Sequence, residues 1–200
     1  MKFFVDTANI EDIEKLIPTG FVDGVTTNPS LIAKQGADMA ETIKNICSIV
    51  NGPVSAEVTA TDFTKMLEEG EYLASLAKNV AVKVPLTIDG LKTCKSLREK
   101  GIMVNVTLCF SAAQALLAAK AGASFISPFV GRLDDIGEKG MDLIEDIVIM
   151  YENYAFETEV LVASIRTKQH VIDSAVIGAH VATLPPKVIY ELYDHSLTDK

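Results

Sequence analysis

Short apolar runs recur along this chain, and segments with helical periodicity follow them. Eight runs rich in β-branched and aromatic residues predict buried strands; they span residues 3–5, 21–25, 54–58, 80–84, 102–108, 124–129, 160–165 and 181–184. Apolar positions three and four residues apart predict helices at 10–16, 39–50, 61–77, 91–99, 111–122, 142–151 and 167–176, and Tyr190, Leu192 and Tyr193 near the end of the chain also have helical spacing. Alternation of strand and helix predicts a parallel sheet. Eight repeats favour an α/β fold whose sheet closes into a (β/α)8 TIM barrel.

The regular spacing of these repeats indicates a single domain. The chain has 200 residues, so eight units average 25 residues each, which is at the lower end of the range for this barrel. No linker rich in Gly, Ser or Pro and no low-complexity tract separates the units. We therefore predict one barrel domain over residues 1–200, with short loops.

Charge and cysteine content exclude several classes of protein. The net charge is −9, from 27 acidic and 18 basic residues, which argues against a nucleic-acid partner. The three cysteines lie far apart with no CxxC spacing, which argues against a disulfide framework and a zinc site and is typical of the cytoplasm. No charged-then-apolar leader is present, and no apolar run approaches the roughly 18 residues of a membrane span. We expect neither export nor a membrane partner.

Polar residues stand at the carboxyl ends of most predicted strands, which is where barrel enzymes place their chemistry. Seven of the eight runs have at least one such residue at or near this end: Asp6, Thr26, Thr27, Asn28, Glu57, Lys83, Asn105, Thr107, Ser127, Ser164 and Arg166. The eighth run, which ends Thr183-Leu184-Pro185, offers no obvious candidate.

Lys83 is the most informative of these residues because apolar neighbours flank it in VAVKVP at 80–85. Burial disfavours the charged ammonium and makes lysine a usable amine nucleophile. The alternative is a lysine that extends its head group into water from a strand end. Asp6 and Glu57 favour the first interpretation, because three buried ionisable groups are costly unless they converge. One amine and two carboxylates suit Schiff-base formation and proton transfer.

Two of the only three arginines, Arg132 and Arg166, follow the sixth and seventh runs. Together with Ser164 they predict a phosphate clamp; the alternative is a pair of surface salt bridges to Asp134, Asp135 or Glu138. The three histidines lack the spacing of metal ligands, so we predict no metal. Neither a Walker P-loop nor a GxGxxG motif follows any strand, so we expect no ATP or dinucleotide cofactor.

Several motifs resemble a known family. They are FVDTAN at 4–9, GVTTNPSLIAK at 24–34, AEV at 56–58, VKVP at 82–85, NVTLCFSAAQALLAAKAGA at 105–123, SPFVGRLDDIG at 127–137 and ASIRT at 163–167. In order and spacing they resemble the short-chain transaldolase branch of the family that also contains bacterial fructose-6-phosphate aldolase. The resemblance implies a single-domain, class I aldolase-like barrel, a Schiff base on Lys83 and no cofactor.

The resemblance also implies a role for each candidate. Lys83 attacks the ketone of a phosphorylated ketose, Glu57 moves protons through a water also held by Thr107, and Asp6 takes the proton of the C4 hydroxyl. Substrate-binding roles fall to the remaining candidates: Thr27, Asn28, Asn105, Ser127 and Phe129 around the carbon chain, and Arg132, Ser164 and Arg166 at the phosphate.

Two positions separate the branches of this family. Its aldolase members have Gln in place of Glu57 and Tyr in place of Phe129, so the residues here favour transfer. We expect a transaldolase of the pentose phosphate pathway that interconverts sedoheptulose 7-phosphate and glyceraldehyde 3-phosphate with erythrose 4-phosphate and fructose 6-phosphate. The alternatives are an aldolase that releases free dihydroxyacetone and a silent phosphosugar-binding barrel.

The resemblance carries an expectation about assembly as well. Members of the family form homo-oligomers, namely pentamers or decamers, and usually continue beyond the segment at 197–200 into a further helix that packs on a neighbouring subunit. We expect a homo-oligomer whose chain lacks that final helix.

Overall fold

Eight parallel strands form one closed barrel in the computed structural model, which describes residues 1–36 and 38–200. The strands are β1 (Lys2–Asp6), β2 (Val22–Thr26), β3 (Val54–Glu57), β4 (Val80–Pro85), β5 (Met103–Cys109), β6 (Phe125–Pro128), β7 (Glu159–Val162) and β8 (Val181–Leu184). Each pairs with the next in sequence, and β8 pairs with β1. The predicted single-domain (β/α)8 barrel is confirmed, and strand bounds agree within one residue except at the end of β7.

Helices cover the outside of the barrel. They are α1 (Ile10–Leu16), α2 (Pro29–Gln35), α3 (Met39–Ile49), α4 (Phe63–Leu76), α5 (Ile88–Glu99), α6 (Ala112–Lys120), α7 (Val130–Asp134), α8 (Gly140–Asn153), α9 (Lys168–Ile177) and α10 (Pro186–Tyr193), with a short 3-10 turn at Ile17–Thr19. Among the residues that the structure describes, no helix combines the length and apolarity that crossing a membrane requires.

The periodicity did not predict α2 and α7. The first begins at an Asn28-Pro29 pair, in which the Asn28 side chain accepts the Leu31 N–H at 2.9 Å and proline occupies a position that needs no intrahelical donor. The second has only five residues. Five residues are too few for a repeated apolar spacing, and the apolar residues of α2 are consecutive at 31–33, so neither helix shows the helical pattern.

Alternate residues of the strands face the barrel interior, because side chains in a strand point to opposite faces in turn. One buried cluster there consists of Phe4, Ala81, Phe125, Leu161, Ala163 and Val181. Phe4 and Phe125 meet edge to face at 5.8 Å between ring centroids. The residues between the inward positions belong to the larger core under the helices. Two positions after each of Phe4, Ala81, Phe125 and Val181 stands a polar residue: Asp6, Lys83, Ser127 and Thr183. The interior is thus apolar in one layer and polar in the next, toward the carboxyl ends of the strands.

Candidate active site

Lys83 occupies the centre of this polar layer. Only 7% of the residue is exposed, and its Nζ lies 2.9 Å from Oε2 of Glu57. The same nitrogen donates a hydrogen bond to the Thr27 carbonyl at 3.2 Å. Strand register places Glu57 and Asn105 directly beside Lys83 on the neighbouring strands. The ammonium is therefore buried and paired rather than extended into water.

A cavity of about 150 Å³ opens above Lys83 at the carboxyl ends of the strands. Its lining comes from most strands of the barrel and from α7: Asp6, Thr26, Asn28, Lys83, Asn105, Ser127, Phe129, Arg132, Ala163, Ser164 and Thr183. A wider groove of about 500 Å³ shares Asn28, Lys83, Phe129 and Arg132 with this cavity and adds Glu57. Most of the predicted site residues therefore meet around one space.

Asp6 is held by hydroxyl groups of β2 and β8, the two strands that flank β1. Its Oδ1 accepts a hydrogen bond from the Thr26 hydroxyl at 2.8 Å, and that hydroxyl lies 2.5 Å from the hydroxyl of Thr183. Because the Thr26 hydrogen points to Asp6, Thr183 is the donor in the second bond. Burial raises the pKa of the Asp6 carboxyl above its usual 3.8, with the charge of Glu57 acting in the same direction and the Thr26 bond and Lys83 opposing it. A carboxylate with raised proton affinity suits a proton acceptor.

The prediction that the eighth strand offers no obvious candidate is wrong, because it overlooks Thr183. The residue lines the cavity and supports Asp6 through Thr26. Its position two residues after the inward-facing Val181 was the available signal, since side-chain direction repeats every second residue.

Asn105 is fixed at both ends of its amide. Its Oδ1 accepts a hydrogen bond from the Ser127 hydroxyl at 2.7 Å, and its Nδ2 donates to the hydroxyl of Ser55 at 3.1 Å. All three residues are buried. These two hydrogen bonds hold the Asn105 amide in one orientation beside Lys83. Like Thr183, Ser55 is a residue of the site that the sequence pattern did not predict.

Thr27 and Thr107 are placed differently from the other candidates. The Thr27 hydroxyl donates to the Ser55 carbonyl at 2.8 Å, so this residue offers Lys83 its backbone oxygen. The Thr107 hydroxyl is buried and has no hydrogen-bond partner among residues 1–36 and 38–200. A buried hydroxyl ordinarily has a partner, which makes Thr107 a candidate to bind a small polar molecule.

The two predicted phosphate-binding arginines also differ. Arg132 lines both the cavity and the groove. The Arg166 guanidinium instead pairs with Oδ2 of Asp135 at 2.7 Å, and both side chains are about half exposed. A Cβ on Gly131 would lie 2.8 Å from the Arg166 side chain, so Arg166 passes directly over α7 beside Arg132. In this structure the cavity lining does not include Arg166, which forms the salt bridge that was the alternative interpretation.

Comparison with known proteins fits this geometry. The family model described as "Transaldolase/Fructose-6-phosphate aldolase" matches residues 3–200. The chain belongs to the transaldolase/fructose-6-phosphate aldolase family. The resemblance drawn from the motifs is confirmed, and the cavity around Lys83 is the candidate active site of an enzyme of this family.

Relatives in the family are similar over the whole chain. A "Probable transaldolase" of Ruegeria sp. (strain TM1040) is 65% identical over 200 residues, which are 100% of this chain and 92% of that protein. A "Probable transaldolase" of Rhodospirillum centenum (strain ATCC 51521 / SW) is 64% identical over 201 residues, which cover 100% of this chain and 87% of that protein. One of Erythrobacter litoralis (strain HTCC2594) is 64% identical, with 100% and 92% covered.

Proposed function

We propose that this protein is a cytoplasmic transaldolase that transfers a dihydroxyacetone unit between phosphorylated sugars through a Schiff base on Lys83. The reaction interconverts two pairs of sugars in the non-oxidative pentose phosphate pathway. Sedoheptulose 7-phosphate and glyceraldehyde 3-phosphate form one pair, and erythrose 4-phosphate and fructose 6-phosphate form the other. The observation that carries the proposal is the buried Lys83 amine, 2.9 Å from the Glu57 carboxylate in a cavity that Asp6 also lines. The similarity to relatives named probable transaldolase supports transfer.

Imine formation begins with a proton transfer between two neighbouring side chains. The Glu57 carboxylate accepts a proton from the Lys83 ammonium, and the neutral amine adds to the ketone carbon C2 of the donor sugar. Glu57 then returns the proton to the carbinolamine oxygen, which leaves as water and gives a protonated imine. The buried Thr107 hydroxyl, which lacks a partner within the described part of the chain, hydrogen-bonds the water involved in this exchange.

Cleavage of the carbon chain depends on Asp6. Its carboxylate takes the proton of the C4 hydroxyl, the C3–C4 bond breaks, and the bonding electron pair moves to the protonated imine to form an enamine. The aldose phosphate leaves with the new aldehyde. Burial raises the pKa of the Asp6 carboxyl, which strengthens the base that this step needs.

Transfer reverses these steps on an acceptor. The enamine carbon attacks the acceptor aldehyde, Asp6 returns its proton to the new hydroxyl, and water hydrolyses the imine to free Lys83. The hydroxyl of Ser127 and the amides of Asn28 and Asn105 bind the sugar hydroxyls. Arg132 and Ser164 bind the phosphate group. Every step uses side chains of the protein, so no cofactor is required.

Phe129 supports transfer rather than simple cleavage. Its ring packs edge to face against Phe110 at 5.7 Å between centroids and lines the cavity without a hydroxyl that could protonate the enamine. The enamine on Lys83 therefore persists until an acceptor aldehyde binds.

Product analysis tests the proposal directly. The enzyme is incubated with fructose 6-phosphate, with and without erythrose 4-phosphate. We expect sedoheptulose 7-phosphate only when the acceptor is present, and little free dihydroxyacetone in its absence. Equal rates of dihydroxyacetone release with and without acceptor would identify an aldolase instead. Lys83→Met is the control, because it removes the nucleophile from either reaction.

A further inference from the structure

His170 lies in the first turn of α9, outside the cavity, and its two ring nitrogens have different partners. Nδ1 accepts the backbone N–H of Arg166 at 3.3 Å, and Nε2 lies 3.1 Å from Oδ2 of Asp134. A nitrogen that accepts carries no hydrogen, so the ring hydrogen is on Nε2 and is donated to Asp134. Only 15% of the His170 side chain is exposed. The ring therefore bridges the loop after β7 and the end of α7.

Asp134 extends this bridge to a further element. Its second oxygen, Oδ1, accepts the backbone N–H of Gly140 at 3.0 Å, which is the first residue of α8. The carboxylate thereby ties the start of α8 to the end of α7, while His170 ties α7 to α9. Helix α7 is the element that carries Arg132.

The loop after β7 also packs directly on α7 through its backbone. Val130 N–H donates to the Ala163 carbonyl and Gly131 N–H to the Ser164 carbonyl, each at 3.1 Å. A Cβ on Gly131 would lie 2.3 Å from the Ser164 oxygen, so only glycine allows this approach. Ser164 itself has a φ of 59°, in the left-handed region, which a residue with a side chain adopts only when its surroundings hold it there.

We propose that His170, acting with Asp134, is a positioning residue for the phosphate-binding side of the site. It ties the loop to α9 and, through Asp134, to the end of α7, so that Ser164 keeps its left-handed conformation and stays at the cavity beside Arg132. The inference rests on the proposed function in one respect, namely that the group bound by Ser164 and Arg132 is a phosphate.

Variants at position 170 separate the two bonds of the ring. His170→Asn keeps an acceptor near the position of Nδ1, His170→Gln keeps a donor near Nε2, and His170→Ala removes both. The matched control is His180→Ala, because the Nδ1 of His180 also accepts a backbone N–H, that of Val160, at 3.1 Å and lies at the opposite end of the barrel. Circular dichroism and thermal unfolding establish that each variant is folded. If His170→Ala does not fold, the Asn and Gln variants provide the comparison.

Three ligands separate the phosphate side of the site from Lys83. Fructose 6-phosphate, through its KM, and inorganic phosphate, through its inhibition constant, report on the phosphate side. Dihydroxyacetone has no phosphate, and its reductive trapping by borohydride reports on Lys83 alone. We expect His170→Ala to raise KM and the phosphate inhibition constant roughly tenfold, the scale of one or two lost hydrogen bonds, with trapping of dihydroxyacetone unchanged. Smaller increases are expected for Asn and Gln, and none for His180→Ala.

Three results would overturn the inference. The first is an unchanged phosphate inhibition constant in folded His170 variants. The second is an equal loss of trapping and of phosphate binding, which would show general destabilisation. The third is the absence of phosphate inhibition in the parent enzyme. Failure of the proposed function looks different, because the parent enzyme would then fail to trap dihydroxyacetone while phosphate binding could still be measured in all variants.

Discussion

Glu57→Gln removes the negative charge that faces the Lys83 ammonium. At 2.9 Å between Nζ and Oε2, two unit charges attract by about 6 kcal/mol at an effective dielectric constant of about 20. Desolvation offsets much of this attraction, yet removing one partner of a buried pair costs about 3–5 kcal/mol. The Lys83 and Glu57 side chains are 9% and 18% exposed, so we expect the lower end, about 3 kcal/mol in the free energy of unfolding.

Urea unfolding measures this loss, with the midpoint shifted and the slope unchanged. A thermal scan should show Tm lower by about 6–12 °C, given about 2–4 °C per kcal/mol for a chain of this size. The matched control is Glu159→Gln, which breaks an ion pair with Lys2 at 2.6 Å whose side chains are 28% and 50% exposed, and should cost less than about 1 kcal/mol. Equal losses in the two variants would refute the conclusion that burial gives the Lys83 pair its strength.

Three further changes test the rest of the site. Asp6→Asn should lower kcat about 100- to 10,000-fold without preventing borohydride trapping of dihydroxyacetone; an unchanged kcat would exclude Asp6 as the base. Because burial raises the pKa of the Asp6 carboxyl above 3.8, the folded protein binds a proton that the unfolded chain has released, so stability falls as pH rises through that window. Asp6→Asn should lose this slope in urea unfolding and exceed the parent protein in stability at neutral pH, whereas a retained slope would contradict the assignment. Arg132→Ala should raise KM for fructose 6-phosphate roughly 10- to 100-fold, as expected for a lost charged hydrogen bond, and an unchanged KM would remove Arg132 from the phosphate site. Thr183→Val removes the donor to Thr26 and should lower kcat about tenfold, near the cost of one buried hydrogen bond; a loss as large as that of Asp6→Asn would mean that Thr183 does more than support Asp6.

The strands and the central lysine could be predicted because their signals are local. Each strand is a short apolar run that stands out in any window of the sequence, and Lys83 interrupts such a run with a charge. Barrel geometry then brings the carboxyl ends of the strands together. The convergence of Asp6, Glu57 and Lys83 follows from these two facts.

Other parts of the site depend on interactions that a linear pattern does not contain. The role of Thr183 follows from strand register, which decides that its hydroxyl meets that of Thr26 over β1, the strand between β8 and β2. The pairing of Arg166 with Asp135 depends on how a loop crosses α7 at Gly131. The sequence around His170 gives no sign of its role. Its partners, Arg166 and Asp134, lie 4 and 36 residues before it in the sequence, so only the folded chain shows the bridge.

Borohydride reduction in the presence of fructose 6-phosphate tests the central claim most directly. Reduction converts the imine into a stable secondary amine, and peptide mapping by mass spectrometry locates it. We predict a three-carbon unit on Lys83 in the parent enzyme and no adduct in Lys83→Met. An adduct on Lys78, or none on any lysine, would contradict the assignment of Lys83 as the nucleophile.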